Sequence, residues 1–398
     1  MTLGTHIARL APALATIALS FAAADAAAQQ PIKIGVIQTY SGPLATPGTA
    51  ASNGFTLYFD EIGNKVAGRT IQLITEDDAG NPAQAMERAR RLVEREQVHM
   101  LAGITNSAAA YALRDYVDGR QVPLMVMGAA GANGITNERA SPYIFRASFS
   151  NRQFNAPFGP YACRKLGYKK IVIMASDFVT GHEQSGAFKE SYVKAGCAVV
   201  KEIFPPLGTV DFQPFLSQVP VAEADAVWGM FFGADAIGFA KQYESFGLKA
   251  KLPLVGSGGL PDESWLVPMG ASSVGITSAM FYTATFDTPA NKKFAANYRA
   301  KYNAVTDSTS ASGYTAAMVI AAAIEAVKGK VEDKDAFLAA LRKTDLAETP
   351  LGHFRFDAKQ NVIFDMVVTR VEARDGTYLP TVIDKLGTGF DQFWQYNP

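Results

Sequence analysis

From Pro31 onward two hydrophobic rhythms alternate along the chain. Short runs that are apolar almost throughout, beginning with "IKIGVIQ", are separated by longer stretches in which apolar residues return every three or four positions. The first rhythm fits a strand buried on both faces and the second a helix with one face buried. After "IKIGVIQ", the segment "GTAASNGFTLYFDEIG" bunches Phe55, Leu57, Tyr58 and Phe59 on one side and predicts a helix; "TIQLITED" predicts the next strand. "NPAQAMERARRLVERE" then opens with Asn81 as cap and Pro82 at the first helical position, and Met86, Ala89, Leu92 and Val93 form its apolar stripe. Strand "HMLAGI", helix "SAAAYALRDYVDG" and strand "VPLMVM" complete the series. Such βαβα order with apolar strands predicts a parallel sheet covered by helices on both faces.

Beyond "YIFRASFSNRQFN" the rhythm starts again with "KKIVIMAS", "EQSGAFKESYVKAG", "AVVKEIF", "FQPFLSQV", "DAVWGMFF", "ADAIGFAKQYESFG" and "LPLVGSG". Two alternating sets predict two α/β lobes, each a doubly wound parallel sheet. From about Met280 the pattern is mostly helical, and the tail returns to strand-like "HFRFD" and "VIFDMVVTRVE" before the aromatic "FDQFWQYNP". No internal repeat at solenoid spacing interrupts this order.

In open parallel sheets ligands sit beyond the carboxyl ends of the strands. The loops there, "TYSGPLATPG", "EDDAGNP", "TNSAAA", "GAAGANG", "SDFVTGHE", "FGAD" and "GSGGLPDE", are rich in Gly, Ser, Thr and Asn, which expose backbone N–H groups or supply hydroxyls. Several also open helices, whose N-termini attract anions. The expected ligand is a small molecule with an anionic group. In "LVGSGGLPDE" a buried strand ends where backbone must approach something closely, with no side chain offered at Gly258 and Gly259.

Composition narrows the class. The 37 basic and 37 acidic residues balance to a net charge of zero, so there is no electrostatic footprint for nucleic acid or an anionic membrane. Residues 1–28 carry a mildly basic start, the apolar run "APALATIALSFAAA" and small residues suited to cleavage after Ala26 or Ala28. This predicts a cleaved export signal and a periplasmic or extracellular mature chain, because the run is shorter than a membrane span requires. Export permits Cys163 and Cys197, the two cysteines, to pair. Chain order leaves a disulfide and two buried thiols equally open.

Catalytic signatures are absent. His99, His182 and His353 lie far apart without paired metal-ligand spacing, so neither a metal nor a cofactor is expected. The first strand-to-helix turn lacks G-x-G-x-x-G, and Ser107 and Ser257 lack the frame of a nucleophile elbow. Asp77 and Asp78, just before a helix, read as caps of its first turn. His182, at a helix start, is either a ligand contact or a polar surface residue. These absences argue against a dehydrogenase or hydrolase of doubly wound fold.

"IKIGVIQTYSGPLATPGTAASNGFTLYFDEIGN", "EDDAGNPAQAMERARRLVERE", "LGYKKIVIMASDFVTGHE" and "DTPANKKFAANYRAKY" together resemble the periplasmic solute-binding subunits of ABC importers, of the branched-chain (leucine/isoleucine/valine) amino-acid-binding type. The likeness runs in order through the whole mature chain. It implies a type I periplasmic-binding-protein fold, two lobes joined by three crossovers near Ser150, Ala279 and Phe354, with lobe 1 at 29–149 and 280–353 and lobe 2 at 150–279 and 354–398. It also implies a partner, an inner-membrane ABC permease.

The resemblance assigns a ligand carboxylate to Ser107, with neighbouring Asn106, and to Ala129, Ala130 and Gly131; Ser107 is alternatively an N-cap, or both. The position that holds an acidic partner for a ligand ammonium in amino-acid-binding members falls on Gly258, and Thr180 stands where those members often carry an aromatic residue. Both departures imply a carboxylate ligand without an α-ammonium, such as a benzoate or hydroxycinnamate, unless Asp262 or Glu263 turns inward. Gly258 and Gly259 are then expected to leave room for a ring, walled by Tyr40, Phe178 and Phe231 or Phe232, with Gly233 and His182 nearby. Phe231 and Phe232 cannot both face the cleft, since neighbours on a strand alternate. An amino-acid binder and a ligand sensor for a signalling partner are the alternatives.

Overall fold

The computed structural model describes residues 30–374 and 376–398. The export signal expected in residues 1–28 lies outside the described residues. Six strands form the first sheet: β1 (Ile32–Gln38), β2 (Lys65–Val66), β3 (Arg69–Asp77), β4 (Met100–Gly103), β5 (Leu124–Val126) and β6 (Ile144–Arg146). Their order is β2-β3-β1-β4-β5-β6, parallel throughout except for β2 against β3. The second sheet contains β7 (Lys170–Ala175), β8 (Ala198–Ile203), β9 (Ala226–Met230), β10 (Leu254–Ser257) and β11 (Thr277–Met280). After a separate hairpin, β12 (Asp345–Thr349) and β13 (Gly352–Arg355), the chain returns to it as β14 (Phe364–Arg374) and β15 (Thr377–Phe390). The order is β15-β14-β11-β10-β9-β7-β8, with β14 and β15 antiparallel.

Helices α1 (Ala45–Glu61), α2 (Pro82–Arg90) and α3 (Ser107–Arg120) belong to the first lobe. Helices α4 (Phe158–Arg164), α5 (Val179–Lys194), α6 (Gln213–Leu216), α7 (Gly233–Ser245) and α8 (Glu263–Met269) belong to the second. Then α9 (Pro289–Tyr302), α10 (Ser308–Ala326) and α11 (Lys334–Arg342) return to the first, where α9 and α10 pack on α1. The α1–α10 crossing brings backbones into contact. A Cβ on Gly54 would lie 2.0 Å from the Ser310 carbonyl oxygen, and one on Gly313 would lie 2.0 Å from that of Ala51, so both positions require glycine. Asn81 caps α2 as its spacing predicts, accepting from the N–H groups of Ala83 and Gln84, and Pro82 opens the helix.

Three passages connect the lobes: residues 147–157, 281–288 and 356–363. Ser150 lies in the first, whereas Ala279 and Phe354 sit inside β11 and β13, a few residues before the other two. Buried polar groups pin these passages together. The Arg146 guanidinium, wholly buried, donates to Asn361 Oδ1 at 2.6 Å, the Ala132 carbonyl at 2.7 Å and Thr136 Oγ1 at 2.5 Å. Burial pulls its pKa down to about 10. Gln153 Nε2 donates to the carbonyls of Val362 and Phe390, and Asn361 Nδ2 donates back to Gln153 Oε1. The rings follow the same logic: Phe149 and Phe154 of the first passage meet edge to face at 5.0 Å, and Phe281 of the second stacks on Phe364 at 4.3 Å.

Cys163, at the end of α4, and Cys197, just before β8, form a disulfide with Cα atoms 5.9 Å apart. It ties two elements of the second lobe.

Candidate functional site

The two lobes meet across a seam that encloses a cavity of about 40 Å³. Leu44, Pro47, Ala129, Phe149 and Phe154 line it from the first lobe and first passage, and Phe232, Gly259, Asp262, Trp265 and Met280 from the second. Ser308 and Thr309, at the start of α10, complete the wall. An apolar cavity of about 150 Å³ accommodates benzene. A ring-sized ligand therefore enters only if the lobes part or the rings swing. A wider groove of about 530 Å³ follows the same seam on its outer side, between Thr46, Thr49 and Asn53 on α1 and Glu263, Ser264 and Val267 on α8.

The first-lobe loops are knitted together by their own polar groups. Asn106, not Ser107, is the N-cap of α3: its Oδ1 accepts from the Ala108 N–H at 2.8 Å while its Nδ2 donates to the Gly80 carbonyl. Ser107 is thereby free to reach the neighbouring loop, and its Oγ accepts from the Ala132 N–H at 3.1 Å. Ala129 reaches the cavity wall, whereas Ala130 is buried in the apolar core behind the sheet. Gly131 packs against Phe149 and Asn151, its carbonyl accepting from the Asn151 N–H. Asp77 and Asp78 do not cap α2. They bind the loop after β1, Asp77 accepting from the Tyr40 N–H and Ser41 hydroxyl and Asp78 from the Thr39 hydroxyl at 2.7 Å.

On the second lobe the glycine stretch has an identifiable neighbour. A Cβ on Gly259 would lie 2.0 Å from Phe232 Cε1, and one on Gly258 would lie 2.3 Å from Met280 Sδ and 2.6 Å from the Ala279 carbonyl oxygen. The space these glycines leave is therefore filled by the protein's own ring and thioether, not held open for a ligand ring. Phe232 faces the cavity with Trp265 edge-on at 6.2 Å, while Phe231 turns to the opposite face and packs on Phe239 at 4.3 Å.

Asp262 is the carboxyl group of the wall. Its Oδ1 caps α8 by accepting from the Ser264 N–H, and its Oδ2 accepts from the Ser308 hydroxyl across the seam at 2.9 Å. Burial, with Asp307 adding to it, pushes its pKa up to about 7. Glu263 accepts from the Ala284 N–H at 2.8 Å, and burial first, then Asp262, pushes it up to about 8. A second cross-lobe contact lies farther along: Glu183 Oε2 accepts from the Asn133 N–H and from Asn151 Nδ2.

Of the residues singled out from sequence, Ala129, Phe232, Gly259 and Asp262 line the cavity. Tyr40 turns its hydroxyl to Ser52 at 2.7 Å, and Phe178 packs on the apolar core at the N-cap of α5. Thr180 is buried in the first turn of α5, and Gly233 opens α7 with φ +53°. His182 is half exposed, paired with Asp177 at 2.7 Å and tilted over Phe204, so it belongs to the surface and not to the wall. Sequence reasoning missed Leu44, Pro47, Phe149, Phe154, Trp265, Met280, Ser308 and Thr309. Phe149 and Phe154, in "FSNRQF" between two strand–helix sets, carried the one available signal.

Among the described residues no helix is long and apolar enough to cross a membrane. The chain belongs to the periplasmic binding protein family, whose pattern it matches over residues 31–377. It is 33% identical over 373 residues to the Leu/Ile/Val-binding protein homolog 6 of Brucella melitensis, covering 92% of this chain and 94% of that one. Among solved structures it is similar to an ABC transporter substrate-binding protein from Sphaerobacter thermophilus, at 40% identity and a TM-score of 0.87, with 91% and 99% of the two chains covered. It is also similar to the ABC-transporter solute-binding protein of Rhodopseudomonas palustris HaA2 in complex with p-hydroxybenzoic acid, at 33% identity and a TM-score of 0.85, covering 92% and 99%. The fold is that of a type I periplasmic binding protein, and the family is one of solute-binding proteins.

Proposed function

We propose that this chain is the exported, periplasmic solute-binding component of an ABC importer and that its ligand is a small aromatic carboxylate of the benzoate or hydroxycinnamate kind. One observation carries the reading: Phe149, Phe154, Phe232 and Trp265 converge on the cavity from both sides of the seam, with Leu44, Pro47 and Met280 between them. Flat apolar walls suit an aromatic ring. The carboxylate is assigned to the Ser107 hydroxyl and the amides around Ala129 and Gly131, beside the start of α3, where hydroxyl, N–H groups and helix dipole act together. Asp262 is poorly set to hold an ammonium. Both its oxygens already accept hydrogen bonds, and burial favours its neutral form. The p-hydroxybenzoate held by the Rhodopseudomonas relative points the same way.

A branched-chain amino acid is the second reading, supported by the name of the Brucella relative and by Asp262 being on the wall at all. Thermal unfolding of the mature protein against benzoates, hydroxycinnamates, aliphatic acids and amino acids separates the two. A ligand specific for the folded state adds about 2.7 kcal/mol at a hundredfold excess over its Kd. Shifts with aromatic acids and none with leucine are expected; the reverse would replace the first reading with the second. Delivery to an inner-membrane permease is the associated partner, since lobe closure creates the surface such a permease would read.

A further inference from the structure

Two helix starts face each other across the seam, and each supplies the other's hydrogen bonds. Asp262 caps α8 in the second lobe and accepts from Ser308 of α10 in the first. Asp307 caps α10 through the Ser310 N–H at 2.6 Å and accepts from the Ser264 hydroxyl of α8. The exchange is reciprocal: each cap carboxyl takes the hydroxyl of the residue that follows the other cap closely. It exists only while the lobes are together, because neither Ser308 nor Ser264 belongs to the lobe of its acceptor.

We propose that this reciprocal pair is a proton-linked latch, in which Asp262 takes up a proton as the lobes close, so that ligand affinity falls as pH rises. The exposures are small: Asp262 is 4% and Asp307 3% accessible, which places two carboxyl groups side by side out of water. The groups facing them are also acids. Glu263 lies beside Asp262 on α8, Tyr282 stands behind with its hydroxyl donating to Asn291 Oδ1 and paired with the Thr306 hydroxyl, and Tyr298 approaches Asp307 from α9. The charge acting on Asp262 is that of Asp307, and no lysine, arginine or histidine is among the strongest influences on it.

Desolvation first, and then the like charge of Asp307, favour the neutral acid and outweigh the hydrogen bonds from Ser264 and Ser308, which favour the carboxylate. With the lobes apart the Asp262 carboxyl is hydrated and away from Asp307, with the ordinary pKa of an aspartate, about 4. With the lobes together Asp262 stands at about 7. The group whose pKa is raised by closure stabilises the closed form fully below the open value, and the gain is lost as pH rises through the closed one. Between those limits, one coupled proton weakens binding by up to about tenfold per pH unit, and the loss levels off above about pH 7.

The reading of the ligand enters only through the probe. The test titrates 4-hydroxybenzoate calorimetrically from about pH 5.5 to pH 8.5, a range over which the probe's own carboxyl stays ionised, in pairs of buffers that differ in ionisation enthalpy. Expected are a Kd that rises with pH up to about 7 and an uptake approaching one proton per ligand at the acid end. Asp262→Asn should flatten both, and Ser308→Ala, which keeps the carboxyls and removes one cross-lobe donor, should weaken binding while retaining the pH slope. A pH-independent Kd without proton uptake in the unsubstituted protein overturns the latch. If 4-hydroxybenzoate does not bind, the same titration with leucine applies. Small-angle scattering with and without saturating ligand, expected to show a smaller radius in the complex, checks that closure accompanies the uptake, and binding without contraction overturns the latch.

Discussion

Adding a single methyl group at Gly259 tests the account of the glycine stretch most directly. The Cβ of Gly259→Ala would stand 2.0 Å from Phe232 Cε1 and 2.9 Å from its Cδ1 and Cζ. Ordinary contact begins near 3.4 Å, so the ring edge must retreat by more than 1 Å. Its directions of retreat are the cavity, only about 40 Å³ in volume, and Trp265, 6.2 Å away between centroids. Overpacking of this kind costs about 1–3 kcal/mol of stability. A ring pushed into the cavity also displaces whatever the cavity takes, so affinity for 4-hydroxybenzoate should fall by tenfold or more, about 1.4 kcal/mol. Guanidinium unfolding and calorimetric titration measure the two losses separately. Phe232→Leu in the Gly259→Ala background relieves the contact and should recover most of the stability, giving a coupling energy of about 1–3 kcal/mol in the double-mutant cycle. Additive losses, or a Gly259→Ala protein that binds and unfolds like the parent, would refute the assignment of Phe232 as the neighbour that keeps this position glycine.

Ser107→Ala should weaken carboxylate binding by about 1.5–3 kcal/mol, the range for a hydrogen bond to a charged group, and should lower stability by about 1–3 kcal/mol because the buried Ala132 N–H loses its acceptor; isothermal titration and chemical unfolding check the pair. Replacing Cys163 and Cys197 together by Ala should lower stability by about 4 kcal/mol, the chain-entropy value for their separation of 34 residues, and leave affinity unchanged because the bridge lies within one lobe away from the seam. His182→Ala should change affinity by less than about twofold, since its partners are Asp177 and Phe204 at the surface. A larger effect in titration would return His182 to the binding site.

The lobes were readable because their strands are apolar from end to end and their helices are not. Asn81 and Pro82 marked a helix start that the structure reproduces to the residue. What failed to read was contact between segments distant in sequence. Strand β15 went unrecognised because "TYLPTVIDKLGTGF" holds Pro380, Gly387 and Gly389 and is half-buried or exposed along most of its length, so no apolar run announces it. Ser107 kept a helix cap as its alternative reading, although Asn106, one residue earlier, is equally suited to that role and holds it. The side chain that fills the notch at Gly259 comes from Phe232, and no local pattern links the two. Asp262 and Asp307 each look like an ordinary helix cap, which they are. Their relation to each other appears only once the fold has brought α8 and α10 face to face.

The crossing of α1 and α10 has a consequence for how the chain is made. Gly54 and Gly313 let these helices touch backbone to backbone, yet about 260 residues of translation separate them. The first lobe has all six strands of its sheet once Arg146 has emerged, but the helix that seals its face arrives only after the second lobe's first five strands have been synthesised. A ribosome therefore releases most of this polypeptide before either lobe has its full set of elements, since β14 and β15 of the second lobe come later still. The interleaving keeps the nascent chain unfinished until late, the condition in which a polypeptide can still be threaded through a narrow pore.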